Sequence, residues 1–347
     1  MRALVYDELG APPAVRDVPD PDCPSAGVII RVAATGVCRS DWHAWQGHDP
    51  VRLPHVGGHE FAGVVAAVGD RVRRWTVGDR VTAPFVNGCG RCAYCAAGQA
   101  QVCPEQTQPG FTGWGSFAEL VPVVAADLNL VRLPDALGFA AAAALGCRFA
   151  TAYHALTAQG GLAAGQLVAV FGCGGAGLSA IMIARALGAR VIAVDPAAAA
   201  RELAAGFGAE TIMDPAALDV PKSIMELGGA DLTLDCAGSP AVAVAAVSSL
   251  RRRGRHVQVG LLLGDQATPP LPMDRVIAWE LAVLGSHGMP AADYPAMLEL
   301  ITSGAVDPGK LIMNRTDLAG AGDALQAMDR PGSQGITVAV LSPSTAP

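Results

Sequence analysis

Residues 166–195 constrain the fold more than any other stretch. Gln166 to Phe171 is an apolar run of strand length, followed at once by Gly172-Cys-Gly174-Gly-Ala-Gly177. A helical run, Leu178 to Leu187, and a second strand ending in an acid, Arg190-Val-Ile-Ala-Val-Asp195, complete the stretch. A GxGxxG sequence alone is weak evidence. Strand, glycines, helix, strand and terminal acid in this order specify a dinucleotide-binding βαβ unit. Gly172 makes the turn, Gly174 lets the backbone approach a pyrophosphate, and Gly177 allows helix and strand to pack closely. The helix N-terminus offers N–H groups and a partial positive charge to the phosphates. Asp195 would bond ribose hydroxyls and repel a 2′-phosphate, and no Arg or Lys lies in the five residues after it, so NAD is favoured over NADP.

The same alternation continues downstream. It predicts a helix over 198–206, a short strand from Thr211 to Met213, a helix near 222–227, and strands Asp231 to Cys236, Val257 to Leu261 and Leu281 to Gly285. Together these make a six-strand doubly wound parallel sheet over about 165–287. The basic run Arg251-Arg-Arg-Gly-Arg255 reads as a solvated helix end. The last strand is apolar and at a sheet edge, where it can pair across a two-fold axis, so a homodimer or homotetramer is expected. The tail shows one clear helix, Tyr294 to Ser303, and a last strand, Ile336 to Leu341, expected to return to the first domain.

The chain before residue 165 is built differently. Ala3 to Tyr6, Val28 to Ala33, Val64 to Val68, Arg80 to Ala83 and Phe111 to Val124 read as antiparallel strands, with the prolines between 12 and 24 in connections. An Ala-rich helix follows over 136–144. Residues 87–104 interrupt the pattern with Cys89, Cys92, Cys95 and Cys103 at the spacing C-x2-C-x2-C-x7-C. A tetrahedral zinc suits this lobe, since four thiolates close the shell and the metal replaces a missing core. Two disulfides or an iron–sulfur cluster are the alternatives.

A second group of potential ligands lies within residues 36–63: Cys38, Asp41, His59 and Glu60. A thiolate and an imidazole are two of the three protein ligands expected at a catalytic zinc. Asp41 is placed to accept the other ring N–H of a ligating histidine, and Ser40 and His43 are close enough in sequence for a proton path. A buried cysteine and a satisfied core histidine would explain the same residues without a metal. Cys147 is the remaining candidate for a third ligand; Cys23, Cys173 and Cys236 read as packing residues.

Size and charge narrow the function classes. A chain of 347 residues suits two domains. A net charge of −7 excludes a nucleic-acid surface, and no apolar run reaches the roughly 18 residues of a membrane span. Without a signal-peptide pattern the expected location is cytoplasmic, where nine cysteines point to metal ligation rather than disulfides.

Taken together, these motifs resemble the zinc-dependent alcohol dehydrogenases of the medium-chain dehydrogenase/reductase superfamily, over essentially the whole chain. The resemblance implies a GroES-like β-rich catalytic domain (1–147, with the structural zinc lobe at 87–104), a Rossmann domain (148–287) and a C-terminal segment returning to the catalytic domain (288–347). It implies two zinc ions per subunit and NAD. Cys38, His59 and Cys147 would hold the catalytic zinc, with Glu60 able to approach the same metal, and Cys89, Cys92, Cys95 and Cys103 the structural one. Arg39 would meet the cofactor pyrophosphate and Thr151 the nicotinamide, with Gly175 and Gly260 also at the cofactor. Ser40 and His43 would relay the proton, a surface histidine with no relay role being the alternative for His43. Trp45, Phe85 and Trp114 match positions near the substrate pocket, which suggests an apolar or aromatic alcohol. Arg148, large and charged directly after Cys147, has no role that the sequence supplies. The expected reaction is reversible oxidation of a primary or secondary alcohol by NAD; a carbonyl or activated double-bond reductase and a non-catalytic nucleotide-binding protein are the competing readings.

Overall fold

The structure, a computed structural model, describes residues 1–329 and 335–341. They form two units, Met1–Ala150 with Gly288–Pro347, and Thr151–His287.

The first unit is organised on the strand Val28–Val37, whose sequence VIIRVAATGV is buried at every position but Arg31. Such a run of β-branched and small residues fits a strand covered on both faces. Glu60–Val68 pairs antiparallel along one edge, with Gly36 opposite Glu60. The other edge is shared end to end: Leu120–Val123 pairs with residues 28–31, and the C-terminal strand Ile336–Val340 with residues 34–37. Arg80–Thr82, Val131–Arg132 and Ile312–Thr316 complete this sheet. Phe61, Val65, Trp75, Val81 and Val121 fill one core beneath it, and Leu4, Val37, Trp45, Phe117 and Leu325 another.

The second unit is a six-stranded parallel sheet in the spatial order Thr211–Met213, Arg190–Val194, Leu167–Phe171, Ala230–Asp235, Leu250–Gln258, Ala282–Gly285. In chain order these are the third, second, first, fourth, fifth and sixth strands. The order reverses beside Leu167–Phe171, so the carboxyl end of that strand is the topological switch point where such sheets bind ligands. The glycine loop follows it directly, and the helix Gly175–Ala186 packs back on the sheet.

Several expectations need correction. The basic run is not a helix end: it lies inside Leu250–Gln258, seven residues longer at its start than the apolar pattern predicted. Its arginines are held outside the sheet by Asp231, Glu280 and the ring of Trp279, so charge at the strand's beginning is paired rather than buried. Phe111 to Val124 is strand only at Leu120–Val123, because Gly110, Gly113 and Gly115 turn the chain first. The Ala-rich helix begins at Phe139 and gives way at Leu145 to a π-helical turn, Leu145–Phe149. The tail also holds a strand, Ile312–Thr316, and a second helix, Leu318–Ala327, started by Asp317 accepting the Gly320 N–H at 2.8 Å. Glycines at 320 and 322 weaken its helical signal.

Candidate active site

The β-sheet register brings the first ligand candidates together. Cys38 follows the end of Val28–Val37 and N-caps the helix Arg39–Trp45, while His59 immediately precedes Glu60–Val68. Asp41, in the first turn of the helix, ties these segments. Its Oδ2 accepts the Cys38 N–H at 3.0 Å, and its Oδ1 accepts the Gly58 N–H at 2.9 Å. Oδ1 is also 2.9 Å from His59 Nδ1. With Nδ1 as the donor, Nε2 carries the lone pair; it is buried and has no hydrogen-bond partner. Cys147, in the π-helical turn, approaches from another direction, and the ligand atoms of Cys38, His59, Glu60 and Cys147 all lie within 4.8 Å of one another.

This donor set fits a divalent metal. Burial works against charge on His59, but Asp41's charge and hydrogen bond, together with the neighbouring Cys38 sulfur, outweigh it and raise the imidazole well above its ordinary value. A hydrogen bond from Cys147 and the nearby charge of Arg148 hold Cys38 well below the usual thiol range despite burial. Cys147 is pushed the other way by Cys38 and by burial. A buried thiol and a half-buried one so close compete for one proton when alone, and a cation would allow both to be thiolates. The unpartnered Nε2 supplies the third donor.

Glu60 is placed differently from the other three. It is fully buried, and both its oxygens are taken by Arg148: Nε donates to Oε1 at 3.0 Å, the Arg148 backbone N–H donates to the same oxygen at 3.1 Å, and Nη2 donates to Oε2. Glu60 therefore stands among the candidate ligand atoms while both its oxygens are also engaged by Arg148. The role missing for Arg148 in the sequence is this pairing.

Ser40 and His43 lie three residues apart on the helix Arg39–Trp45, hence on one face. Ser40 Oγ is 3.9 Å from Cys38 Sγ. His43 Nδ1 is 3.1 Å from Nδ1 of His48, an exposed residue that sequence reading passed over. Trp42 sits edge-on to both imidazoles. Burial, then His48 and Arg39, lower His43 below the ordinary imidazole value, leaving it a neutral base. Arg39 donates to the Met328 carbonyl at 2.7 Å and lies over the Trp42 ring.

The aromatic residues divide. Trp45 is a core residue, 3% exposed, with its indole N–H on the Ala11 carbonyl, and Trp114 packs against the same cluster while donating to Pro54. Both indoles are thus anchored in that cluster, which accounts for their burial. Phe85 and Phe111 are the rings against His59, at 6.0 and 5.1 Å between centroids. Phe111 also lines an open cavity of about 520 Å³ of mixed character, with Pro50 and Val51 on one hand and Asp49, Arg52 and Gln108 on the other. Only its turn-forming glycine neighbours hinted that its segment leaves the sheet.

In the lobe, the four sulfurs of Cys89, Cys92, Cys95 and Cys103 form a second cluster within 4.8 Å, with no disulfide. Backbone N–H groups of Cys89 and Cys95 point at Cys103 and Cys92 sulfurs at 3.4 Å, a setting for thiolates. The lobe's buried apolar content is little more than Ala100 and the cysteines, so a metal would supply its cohesion.

In the second unit, Gly172 has a φ of +91° and a Cβ on Gly177 would overlap the Gly172 carbonyl oxygen. Gly174 faces open space and Gly175 begins the helix. Asp195 accepts the Cys173 N–H at 2.7 Å and the Ala197 N–H at 2.8 Å, so it buttresses the loop. Arg201, six residues on, is tied to Asp214 at 3.0 Å. Thr151 is buried. Gly260 has a steric purpose of its own, because a side chain there would strike the Gly238 turn.

Comparison with known proteins agrees with this arrangement. Residues 24–135 match the alcohol dehydrogenase GroES-like domain and residues 175–303 the zinc-binding dehydrogenase domain. The chain is 36% identical to an alcohol dehydrogenase of Geobacillus stearothermophilus, over 88% of this chain and 90% of that one. It is 33% identical to a sorbitol dehydrogenase of Halalkalibacterium halodurans, over 90% and 91%. The solved alcohol dehydrogenase TADH of Thermus sp. ATN1 superposes with a TM-score of 0.92 at 30% identity, covering 99% of this chain and all of that one (100%).

Replacing Asp41 by Asn keeps the shape but removes one acceptor from a group that serves three donors. Asp41→Asn is expected to weaken zinc binding at this cluster by about 10- to 100-fold, measured by competition with a chromophoric chelator; unchanged affinity would remove Asp41 from the support of His59.

Proposed function

We propose a reaction for this chain, which belongs to the zinc-type alcohol dehydrogenases of the medium-chain dehydrogenase/reductase superfamily: oxidation of a primary or secondary alcohol with an apolar or aromatic substituent to an aldehyde or ketone, with NAD as hydride acceptor. The observation that carries the metal site is the buried, unpartnered Nε2 of His59 beside two thiols. Bound at Cys38, His59 and Cys147, zinc would act as a Lewis acid that makes the alcohol's hydroxyl proton easy to lose, while NAD takes the hydride.

The chain's own residues supply binding and proton transfer. Ser40 takes the hydroxyl proton, and His43, on the same helix face and held neutral by burial, passes it outward. His48, in contact with His43 and exposed, is the exit to solvent. Phe85 and Phe111 support the apolar preference, because an alcohol held near His59 would lie against their rings. The names of relatives do not choose between an apolar alcohol and a polyol; the two rings support the apolar one.

Residues 1–147 and 288–347 act as the catalytic part and 148–287 as the NAD-binding part. The glycine loop cradles the pyrophosphate, with Arg39 as a further pyrophosphate contact and Thr151 beside the nicotinamide. Asp195, with Arg201 already committed to Asp214, favours a free ribose hydroxyl over a phosphate. Cys89, Cys92, Cys95 and Cys103 hold a structural zinc. The edge strand Ala282–Gly285, with Val283 exposed, supports pairing into a homodimer or homotetramer. No helix among the described residues is long and apolar enough to cross a membrane, and nine thiols without a disulfide suit the cytoplasm.

Two measurements test this. NADH formation by zinc-loaded protein is expected to be strong on benzylic or long-chain primary alcohols and weak on polyols; a preference for polyols would contradict the aromatic pocket, and no turnover on any alcohol would contradict the reaction. Asp195→Gly is expected to shift the ratio of kcat/KM for NAD over NADP toward NADP by at least about tenfold, one lost charge repulsion; an unchanged ratio would release Asp195 from cofactor choice.

A further inference from the structure

The pair of Glu60 and Arg148 is not required by the chemistry described so far, yet it is among the most elaborately built features of the first unit. Glu60 is 0% and Arg148 9% exposed. A buried ion pair is weak evidence for stability, because desolvating both charges costs about as much as their attraction returns. The space for it has also been cleared. Gly36 lies opposite Glu60 in the sheet register, and a Cβ there would overlap Glu60 Oε2 and come within 3.1 Å of Arg148 Nη2. On the other side, a Cβ on Gly146 would stand 3.2 Å from Glu60 Cα. The π-helical turn Leu145–Phe149 carries both Cys147 and Arg148, so one local irregularity delivers a thiol and a guanidinium to the same place.

What the pair does follows from distance and charge. A Glu60 oxygen lies within 4.8 Å of the two sulfurs and the imidazole, and carboxylate oxygens are ordinary zinc ligands. A divalent metal held by two thiolates and a neutral imidazole carries no net charge; adding the carboxylate would make the group anionic and close the position that substrate needs. The guanidinium fork offers Glu60 a competing, bidentate partner and neutralises it.

We propose that Arg148 is a positioning residue for the reaction: by engaging both oxygens of Glu60 it keeps that carboxylate off the metal, so that the coordination position beside Cys38, His59 and Cys147 stays open to the alcohol. This rests on the reading of those three residues as the catalytic ligands. Arg148 itself touches neither substrate nor cofactor in this role; it acts through Glu60.

Cobalt exchanged into the catalytic site reports coordination through its visible absorption, and the four-cysteine lobe contributes equally in every variant. In the wild type, added alcohol is expected to perturb the band. Arg148→Met is expected to change the band, make it insensitive to alcohol and lower kcat/KM by about tenfold or more, the scale for lost support of a metal ligand. The double variant Arg148→Met with Glu60→Gln is expected to recover the wild-type band and most of the lost kcat/KM, since a carboxamide is a poor ligand. Glu60→Gln alone is expected to keep the wild-type band. A merely structural arginine would give no such rescue. If Arg148→Met does not fold, Arg148→Lys, which keeps the charge and loses the fork, is expected to show the same band change to a smaller degree. An unaltered band in a folded single Arg148 variant, or an altered one in Glu60→Gln alone, would overturn the inference. A wild type that loads no cobalt beyond the four-cysteine lobe, or oxidises no alcohol, would instead overturn the functional reading beneath it.

Discussion

The carboxylate of Asp41 ties together two of the three proposed metal ligands, Cys38 and His59. It accepts from the backbone of Cys38, from the backbone of Gly58 and from the ring of His59. One buried charge thus fixes the start of a helix, the turn before a strand and the tautomer of an imidazole. The cost of burying it is met by these charge-assisted hydrogen bonds, each worth more than a neutral one. Because Nδ1 is committed to Asp41, Nε2 is the ring nitrogen left for the two sulfurs' side, where a metal would take the place of its proton. The helix and the strand could each form without Asp41; their relation could not be held as tightly.

A balance of charge surrounds that core. Two thiols, a carboxylate, an imidazole and a guanidinium are packed in a small buried volume. Burial raises Glu60 above its ordinary value, with Arg148 opposing it. The arrangement is consistent with a metal satisfied by the two sulfurs and Nε2, and with an arginine satisfying the carboxylate. Without a cation the two thiols compete for a proton, and without the guanidinium Glu60 Oε2 loses the donor it has here, leaving the residue-148 backbone N–H on Oε1.

Local patterns were legible in the sequence and distant pairings were not. The cysteines of residues 89–103 and the glycines of residues 172–177 carry their spacing within one turn or lobe, and the parallel sheet follows from repeated strand–helix alternation. Glu60 and Arg148 are 88 residues apart, and Arg148 sits in a π-helical turn, which no hydrophobic period reveals. Arg251–Arg255 misled because charged side chains were taken to exclude a strand, whereas ion pairs along the strand's exposed start accommodate them. Trp45 and Phe111 show the limit for pockets: composition says that aromatic rings are present, but only the backbone path decides which one turns to the core and which to His59.

The most direct test of the site is X-ray absorption at the zinc edge of the purified protein, with zinc counted per chain. The account predicts two zinc ions and a mean first shell of about three sulfurs and one nitrogen or oxygen per metal, at about 2.3 and 2.0–2.1 Å, with the outer-shell signature of an imidazole. One zinc per chain in an all-sulfur shell would contradict it, leaving His59 a core histidine and the chain without its catalytic metal.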